Sequence, residues 1–100
     1  MDTTFWGPDG WRLLHSIVTK FPNNPTTKDK ETYAAFFNTI RHVLPCIYCR
    51  NSFHEYITEL PVENYTNSRK DINNWLYLIH NKVNEKLRKQ NLNDKKNPKY

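Results

Sequence analysis

Residues 27–60 read TKDKETYAAFFNTIRHVLPCIYCRNSFHEYITEL and decide the fold, because they hold two helical patterns separated by a proline. Apolar and aromatic side chains recur every three or four residues on both sides of Pro45, as they do on one face of a helix. Proline cannot donate the backbone hydrogen bond that continues a helix, and it disfavours helical backbone in the residue before it. The stretch therefore predicts a helix over residues 27–43, a stop at Pro45 and a second helix over residues 46–59.

The rest of the chain divides in the same way, into two further helical segments. Residues 8–20 begin with Pro8, which a helix accepts in its first turn, and residues 69–89 follow the loop PVENYTNSR. No stretch alternates between apolar and polar residues as a strand does. Four helices with short connections predict an all-α protein, a small four-helix bundle. We expect the bundle to occupy residues 1–92 and residues 93–100 to form a basic tail that is only partly ordered.

The apolar positions of the four segments predict the core. Side chains three and four residues apart lie on one face of a helix, and such a face is buried in a bundle. The candidates are Trp11, Leu14, Ile17, Val18 and Phe21, then Tyr33, Phe36, Phe37, Ile40, Val43 and Leu44, then Cys49, Phe53, Tyr56, Ile57 and Leu60, and finally Ile72, Trp75, Leu76, Ile79, Val83 and Leu87.

Length and charge limit the classes of protein that this chain can belong to. The 100 residues carry a net charge of +5. This charge would suit nucleic acid or an anionic membrane, but much of it lies in residues 86–100, KLRKQNLNDKKNPKY, where a solvated terminus explains it equally well. No apolar run approaches the roughly 18 residues that a membrane span needs, and the N-terminus does not resemble a signal peptide. We therefore expect neither nucleic acid nor a membrane as the partner.

The two cysteines form one C-x-x-C motif, Cys46 and Cys49, at the predicted start of the third helix. A disulfide between them would close a very small loop and would stabilise the fold little, which disfavours a structural clip. Zinc usually takes four ligands, there is no second cysteine pair, and His42 and His54 have unsuitable spacing, so we expect no metal. A helix N-terminus lowers the pKa of the first thiol. Redox chemistry in a helical bundle is the favoured interpretation.

Polar and aromatic residues on the first and fourth helices suggest where a dithiol would send its electrons. An indole and imidazoles can stack on a flat heterocycle, amides can bind its edge, and lysines can bind phosphates. These polar groups accompany an apolar stripe, and we expect a nucleotide to satisfy them. Each residue taken singly is also compatible with core or solvated surface. The candidates are Trp11, His15, Tyr77, His80, Asn81, Asn84, Lys86 and Lys89.

Three motifs in order give the chain a resemblance to the Erv/ALR family of FAD-linked sulfhydryl oxidases. They are Gly7-x-x-x-Trp11-x-x-x-His15, Pro45-Cys46-x-x-Cys49 and His80-Asn81-x-Val83-Asn84-x-x-Leu87, and they extend over residues 6–89. The resemblance implies a bundle of four helices with a short fifth, holding FAD at its open end. It also implies that FAD contacts Trp11, His15, His80, Asn81, Asn84 and Lys89. Together with Gly7 of the first motif and with Tyr77 and Lys86 from the polar strip of the fourth helix, these residues form the predicted FAD-binding set.

The resemblance implies an enzyme that oxidises two thiols with O2 and yields a disulfide and H2O2. Cys49 would be the sulfur next to the flavin, and Cys46 the sulfur that exchanges with the substrate. The electron donor would be a thiol-containing protein or a thioredoxin-like protein. The family also implies a homodimer formed through the first two helices, to which Tyr33, Phe37 and His42 could contribute, although they could equally be core.

The chain departs from the cellular family members at several points. Pro8 replaces a basic residue, and there is no second cysteine pair to act as a shuttle. Either the donor's thiols reach Cys46 directly, or a shuttle lies outside these 100 residues. The minimal form resembles the oxidases of large DNA viruses, which would place it in the host cytoplasm, the virus factory or the virion. Tyr100 falls near a flavin-contacting Trp of the family, but the match is poor.

A non-enzymatic alternative remains at this point. The chain could be a basic helical module that binds nucleic acid or a partner protein, with the C-x-x-C motif as a metal or structural clip. A flavin spectrum would distinguish the two, because an oxidase of this family is yellow and a binding module is colourless.

Overall fold

The structure is a computed structural model that describes the backbone of residues 3–94 and the side chains of residues 3–89. Its order of elements confirms an all-α fold with four helices, and the fifth element is a single 3-10 turn. The elements are α1 (Thr3–Val18), α2 (Thr27–Val43), α3 (Ile47–Glu59), the 3-10 turn (Val62–Tyr65) and α4 (Arg69–Asp94). The described part of the chain contains no helix with the length and apolar composition needed to cross a membrane.

The predicted helix ends are correct around the C-x-x-C motif and wrong at the N-terminus. The α1 helix begins at Thr3, so Pro8 lies inside it rather than in its first turn. Only one intrahelical hydrogen bond is lost there, because proline lacks a single N–H. The α4 helix continues to Asp94, beyond the end predicted at residue 89. The remainder of the expected tail, including Tyr100, lies outside the described residues.

Side-chain caps explain where α2 and α3 begin. The Thr26 hydroxyl accepts a hydrogen bond from the Asp29 N–H, while the Asp29 carboxylate accepts one from the Thr26 N–H. This reciprocal pair satisfies two donors that a helix start would otherwise leave free. At α3 the cap is Cys46, whose Sγ accepts from the Cys49 N–H at 3.3 Å. One residue of the C-x-x-C motif therefore starts the helix that carries the other.

The core lies where α4 passes the other helices and the 3-10 turn. Trp75 is fully buried, its ring meets that of Phe37 edge-on at 5.0 Å, and its Nε1 donates to the Leu60 carbonyl at 2.7 Å. The last carbonyls of α1 are also bound from α4, because Asn73 donates to the Val18 oxygen at 2.9 Å. The buried hydrophobic residues are Val18, Phe21, Ala34, Phe37, Ile40, Phe53, Ile57, Val62, Ile72, Trp75, Leu76 and Ile79.

Two predicted core residues of α2 are exposed instead. Phe36 is 41% exposed and Val43 is 68% exposed, whereas Phe37 is fully buried. The buried residues of α2 are Ala34, Phe37 and Ile40, which follow one another at intervals of three residues along a narrow face of the helix. Phe36 points about 100° away from Phe37 and so lies outside that face. The sequence also missed Val62, which is fully buried although it belongs to a segment predicted as loop.

Candidate active site

An aromatic and imidazole cluster joins α1 to α4. The indole of Trp11 stacks on the imidazole of His80, with ring centres 3.9 Å apart and planes only 7° from parallel. His15 Nε2 and His80 Nδ1 share a hydrogen bond at 2.9 Å. The ring of Tyr77 approaches His15 edge-on at 5.6 Å. Side chains about 65 positions apart in the sequence thus form one cluster, in which the rings of Trp11 and His80 are nearly parallel and the His15 ring is tilted against them.

Three members of this cluster, Trp11, His15 and His80, line a cavity of about 450 Å³. The sequence predicted that Trp11 and His15 share one face of α1, and this face forms part of the cavity lining. His80 forms the side of the cavity that belongs to α4. Sequence reasoning missed Arg12 and Ser16, which also line the cavity and repeat the four-residue spacing of Trp11 and His15. The full lining is Pro8, Trp11, Arg12, His15, Ser16 and His80. The pairing of His80 also corrects the expectation that only a ligand would satisfy its polar atoms.

The two cysteines are both free thiols and both half-buried. Burial acts to raise the pKa of Cys46, but hydrogen bonds to its sulfur from the Cys49 thiol and from the N–H groups of Cys49 and Tyr48 outweigh burial. The pKa of Cys46 therefore falls below the ordinary 9.0. This direction agrees with the effect expected of a helix start.

Cys49 has the opposite character. Burial, the hydrogen bond with Cys46 and the charge of the Cys46 thiolate raise the pKa of Cys49 to about 12, against the attraction of the Lys86 ammonium. In the dithiol, Cys46 is therefore the sulfur that ionises first and Cys49 the sulfur that keeps its proton. The pair is chemically asymmetric, as an exchange sulfur and an inner sulfur would need to be.

The α4 helix borders both the cavity and the dithiol. Lys86 donates a hydrogen bond to Ser52 of α3, one turn beyond Cys49, and its charge acts on the Cys49 sulfur. Lys82 forms an ion pair with Glu59 of α3 at 2.5 Å. A rise of 1.5 Å per residue places Lys86 about 9 Å from His80 along the axis of α4. The aromatic cluster and the thiols thus lie near two successive parts of one helix.

The remaining candidates take different positions. Gly7 is buried in α1, whereas Tyr77 and Asn81 are exposed on α4. Asn84 is half-buried and already has an interaction within the protein. Lys89 is exposed, and Lys86 lies beside α3 rather than in the lining of the cavity. Among the side chains of residues 3–89, the structure brings together Trp11, His15, Tyr77 and His80, and separately Cys46, Cys49 and Lys86.

Comparison with known proteins identifies the family. The sequence profile of the Erv1 / Alr family matches residues 8–100. The chain belongs to this family. Erv1 / Alr membership confirms the resemblance inferred from the three motifs, and the match includes all of the cavity lining and both cysteines.

Individual relatives support the assignment. The chain is 39% identical to the mitochondrial FAD-linked sulfhydryl oxidase ERV1 of Saccharomyces cerevisiae, over 83% of this chain and 43% of that protein. It is 39% identical to a probable FAD-linked sulfhydryl oxidase of Acanthamoeba polyphaga mimivirus, over 79% of this chain and 56% of the relative. It is 33% identical to the FAD-linked sulfhydryl oxidase of African swine fever virus, over 85% of this chain and 70% of that protein. The chain therefore spans about half the length of the first two relatives.

Solved structures match the fold. The crystal structure of the yeast Erv1 core superimposes with a TM-score of 0.83 at 34% identity, covering 100% of this chain and 76% of that one. The crystal structure of the FAD binding domain of Erv1 gives a TM-score of 0.83 at 35% identity, covering 86% of that chain. The Erv1 / Alr bundle is thus the fold of this chain.

Proposed function

We propose that this Erv1 / Alr chain is a FAD-dependent sulfhydryl oxidase, which passes electrons from substrate thiols through Cys46 and Cys49 to FAD and then to O2, giving H2O2. The observation that carries the proposal is the pair of free thiols at the start of α3, where the Cys46 sulfur caps the helix by accepting the Cys49 N–H at 3.3 Å. The lowered pKa of Cys46 and the raised pKa of Cys49 agree with this geometry. The dithiol and the cavity lined by Trp11, His15 and His80 both border α4. The relatives described above are themselves named as FAD-linked sulfhydryl oxidases.

The residues present fit a flavin. The Trp11 and His80 rings are nearly parallel and offer flat faces beside a cavity of about 450 Å³. Flat aromatic surfaces suit a planar heterocycle. Arg12 also lines the cavity, where its guanidinium group is paired with the Asp9 carboxylate at 2.7 Å. We assign FAD binding to the predicted set, with Trp11, His15 and His80 as its centre. When bound, FAD would supply a two-electron acceptor that can be reoxidised by O2.

The thiol exchange step follows from the position of Cys46. In the oxidised protein, a substrate thiolate attacks the Cys46 sulfur of the disulfide, and Cys49 leaves as a thiolate. A second substrate thiolate then attacks the substrate sulfur of the mixed disulfide and releases Cys46. The substrate becomes a disulfide, and the protein holds the two electrons as a dithiol. A low thiol pKa makes Cys46 a good leaving group in the second attack.

The ionisation of Cys49 changes during this sequence. Two causes of its raised pKa are the hydrogen bond with Cys46 and the negative charge on Cys46. Both disappear while Cys46 is tied up in a mixed disulfide, but the attraction of Lys86 remains. The mixed disulfide is therefore the state in which Cys49 is most easily a thiolate, and Lys86 acts to hold that charge.

The test is a flavin spectrum combined with an activity assay. The purified chain should be yellow, should release FAD on denaturation, and should consume O2 and form H2O2 when given a small dithiol. A colourless protein that takes up no added FAD would contradict the proposal and favour a binding module.

Two serine variants test the route through the dithiol. Cys46→Ser and Cys49→Ser should keep FAD and lose nearly all turnover, because either change removes the disulfide. Cys46→Ser should also show a long-wavelength absorption band, since it leaves Cys49 as the sole thiol beside the flavin. The band in Cys49→Ser instead would reverse the assignment of the inner sulfur, and full activity in both variants would contradict the redox route.

Partners follow from the same proposal. The donor would be a thiol-containing protein or a thioredoxin-like protein, and the acceptor O2. We also propose that the chain is a homodimer through α1 and α2. Phe37, one of the aromatic residues considered for that interface, is fully buried in the core and cannot contribute. His42 is exposed, and Tyr33 packs edge-on against Phe21 at 4.8 Å.

A further inference from the structure

A second cavity, of about 230 Å³, lies where α2 ends and α3 begins. It shares no lining residue with the aromatic cavity. The break at Pro45 turns the chain so that the last turn of α2 and the first two turns of α3 face one another across this space. The lining is Arg41 and His42 from α2, and Ile47, Arg50, Asn51 and His54 from α3.

The charge of this cavity is positive and unbalanced. Within the described side chains of residues 3–89, neither Arg41 nor Arg50 forms an ion pair with an acidic residue. Arg41 Nε donates to His42 Nε2 at 3.1 Å, while Arg50 Nε is buried with no hydrogen-bond partner. A buried donor left without an acceptor costs about 1–3 kcal/mol. Two guanidinium groups repel a metal cation and attract an anion. No acidic residue lines the cavity, so an anionic ligand would supply the hydrogen-bond acceptor that Arg50 Nε lacks.

Two residues of the cavity lining lie within one helical turn of Cys46. Ile47 directly follows Cys46, and the Arg50 N–H donates to the Cys46 carbonyl at 3.0 Å, so Arg50 lies one turn along the helix from Cys46. The adjacent surface is apolar and exposed, because Ile47 is 54% exposed and Tyr48 is 77% exposed. Cys46 itself is not part of the lining, so a ligand in the cavity would lie within one helical turn of the Cys46 backbone and could also contact an apolar rim.

We propose that this cavity is the docking site for an acidic segment of the thiol substrate. A carboxylate near the substrate cysteine would lie between Arg41 and Arg50, since guanidinium groups bind carboxylates with two parallel hydrogen bonds. Ile47 and Tyr48 would contact the apolar residues around that cysteine. The inference rests on the proposed oxidase function and adds the chemistry of its substrate.

The chemical step is unchanged by docking. The substrate sulfur forms a bond to Cys46 as the Cys46–Cys49 bond breaks, and a second substrate thiolate then completes the substrate disulfide. Two electrons pass from the substrate to the protein disulfide, and two protons leave the substrate thiols. The carboxylate is neither consumed nor altered, so its only effect is to raise the local concentration of the attacking sulfur at Cys46.

The dimensions of the cavity favour an acidic peptide over nucleic acid. Nucleic-acid binding spreads basic residues along a phosphate backbone and usually adds stacking surfaces for bases. Here two guanidinium groups converge on one space of about 230 Å³, next to a thiol and an apolar rim. One or two carboxylates fill such a space, and a neighbouring peptide can use the rim.

The test uses the FAD-loaded full chain and three substrates. Two are unstructured peptides with the same dithiol, flanked either by Asp or by Lys, and the third is a small uncharged dithiol. We expect kcat/KM for the Asp peptide to exceed that for the Lys peptide by about tenfold, because charge-assisted hydrogen bonds contribute in that range. This preference should shrink as salt is added.

Variants assign the preference to the cavity. Arg41→Gln/Arg50→Gln should remove it, and Arg41→Glu/Arg50→Glu should invert it towards the Lys peptide, a gain that misfolding cannot produce. The matched control is Lys28→Gln, which removes one positive charge from the other end of α2, about 20 Å from Arg41. It should keep the preference, and all variants should oxidise the small dithiol within about twofold of the unmodified chain.

Failure of this inference is separable from failure of the proposed function. Oxidation of the small dithiol reports the oxidase, while fluorescence anisotropy of a labelled Asp peptide with Ser in place of both cysteines reports docking alone. Three outcomes would overturn the acidic-substrate site. They are equal kcat/KM values for the two peptides, loss of the preference for the Asp peptide in Lys28→Gln, and stronger binding of a single-stranded oligonucleotide than of the Asp peptide. If the chain oxidised no thiol but still bound the Asp peptide through Arg41 and Arg50, the proposed oxidase function would be wrong. The chain would then be a module that binds acidic peptides.

Discussion

Cys46 and Cys49 are the same residue type three positions apart, yet their surroundings make them chemically different. Cys46 precedes the first turn of α3, where its sulfur accepts hydrogen bonds from the N–H groups of Tyr48 and Cys49. Cys49 lies inside the helix, where burial disfavours its charged form. The difference arises from the position of each residue relative to one helix end.

Alkylation of the reduced protein should therefore be selective for Cys46. Thiolates react and thiols do not, so a pKa below 9.0 leaves far more reactive Cys46 at neutral pH than a pKa of about 12 leaves reactive Cys49. The rate at Cys46 should reach half of its maximum at a pH below 9.0, while the rate at Cys49 is still rising there. Limited iodoacetamide labelling under anaerobic conditions, followed by peptide mapping, measures both rates. Equal labelling near pH 7 would contradict the asymmetry.

His80 is the residue on which the aromatic cluster depends, since it contacts both Trp11 and His15. The change His80→Ala removes a stacking face and a hydrogen-bond partner, so it should lower the flavin content of the purified protein. It should also lower the melting temperature, and excess FAD should restore part of the loss because a ligand of the native state stabilises it. Asn74→Ala, at an exposed position of the same helix, is the control. Full flavin content in His80→Ala would remove His80 from the binding set.

At the scale of the element, each helix start has its own physical cause. The α2 helix has a complete capping box at Thr26 and Asp29, and α3 uses a cysteine as its cap. Sulfur is a weaker acceptor than oxygen, so the cap of α3 stabilises that helix less than a Ser or Thr would. The start of α3 therefore combines a weak cap with a reactive sulfur.

Removal of the α2 cap should have a measurable and local cost. Thr26→Ala eliminates the acceptor for the Asp29 N–H and should lower the free energy of unfolding by about 1 kcal/mol. Thr27→Ala, one residue further on, keeps both capping hydrogen bonds and should change stability by less than about 0.5 kcal/mol. Urea unfolding followed by circular dichroism compares the two. A larger loss in Thr27→Ala would mean that the capping box does not set this boundary.

At the scale of the whole molecule, exposed apolar side chains on α1 and α2 support the proposed dimer. Phe5 and Leu13 of α1, and Phe36 and Val43 of α2, are all exposed in the single chain. Large apolar side chains left in water on neighbouring elements commonly mark an interface. Association would remove this surface from water without disturbing the core built around Trp75.

The dimer can be tested by adding charge to that surface. The unmodified chain should sediment as a dimer, and Leu13→Glu/Phe36→Glu should sediment as a folded monomer, because burying two carboxylates per protomer is costly. Leu78→Glu, which adds one charge at a partly exposed position of α4, should remain dimeric. A monomeric unmodified chain at micromolar concentration would contradict the proposal.

The amino-acid sequence by itself determined the number of helices, the breaks between them and the position of the C-x-x-C pair. Pro45 ends α2 because it cannot continue the backbone hydrogen bonding, and the spacing of apolar residues sets which face of α4 is buried. These features depend on residues within one or two turns of each other. The motif order was also sufficient to indicate the Erv1 / Alr family, since the three motifs are local patterns in a fixed sequence.

Only the tertiary structure decided which distant side chains meet. His15 and His80 are 65 residues apart, and their hydrogen bond depends on how α1 crosses α4. The cavity of Arg41 and Arg50 depends on the angle between α2 and α3 at Pro45, which helical periodicity does not specify. Phe36 and Phe37 differ in burial for the same reason, because the packing of α2 buries only the face that carries Ala34, Phe37 and Ile40. Helical periodicity sets which residues share a face of each helix, whereas tertiary packing sets which other helix that face contacts.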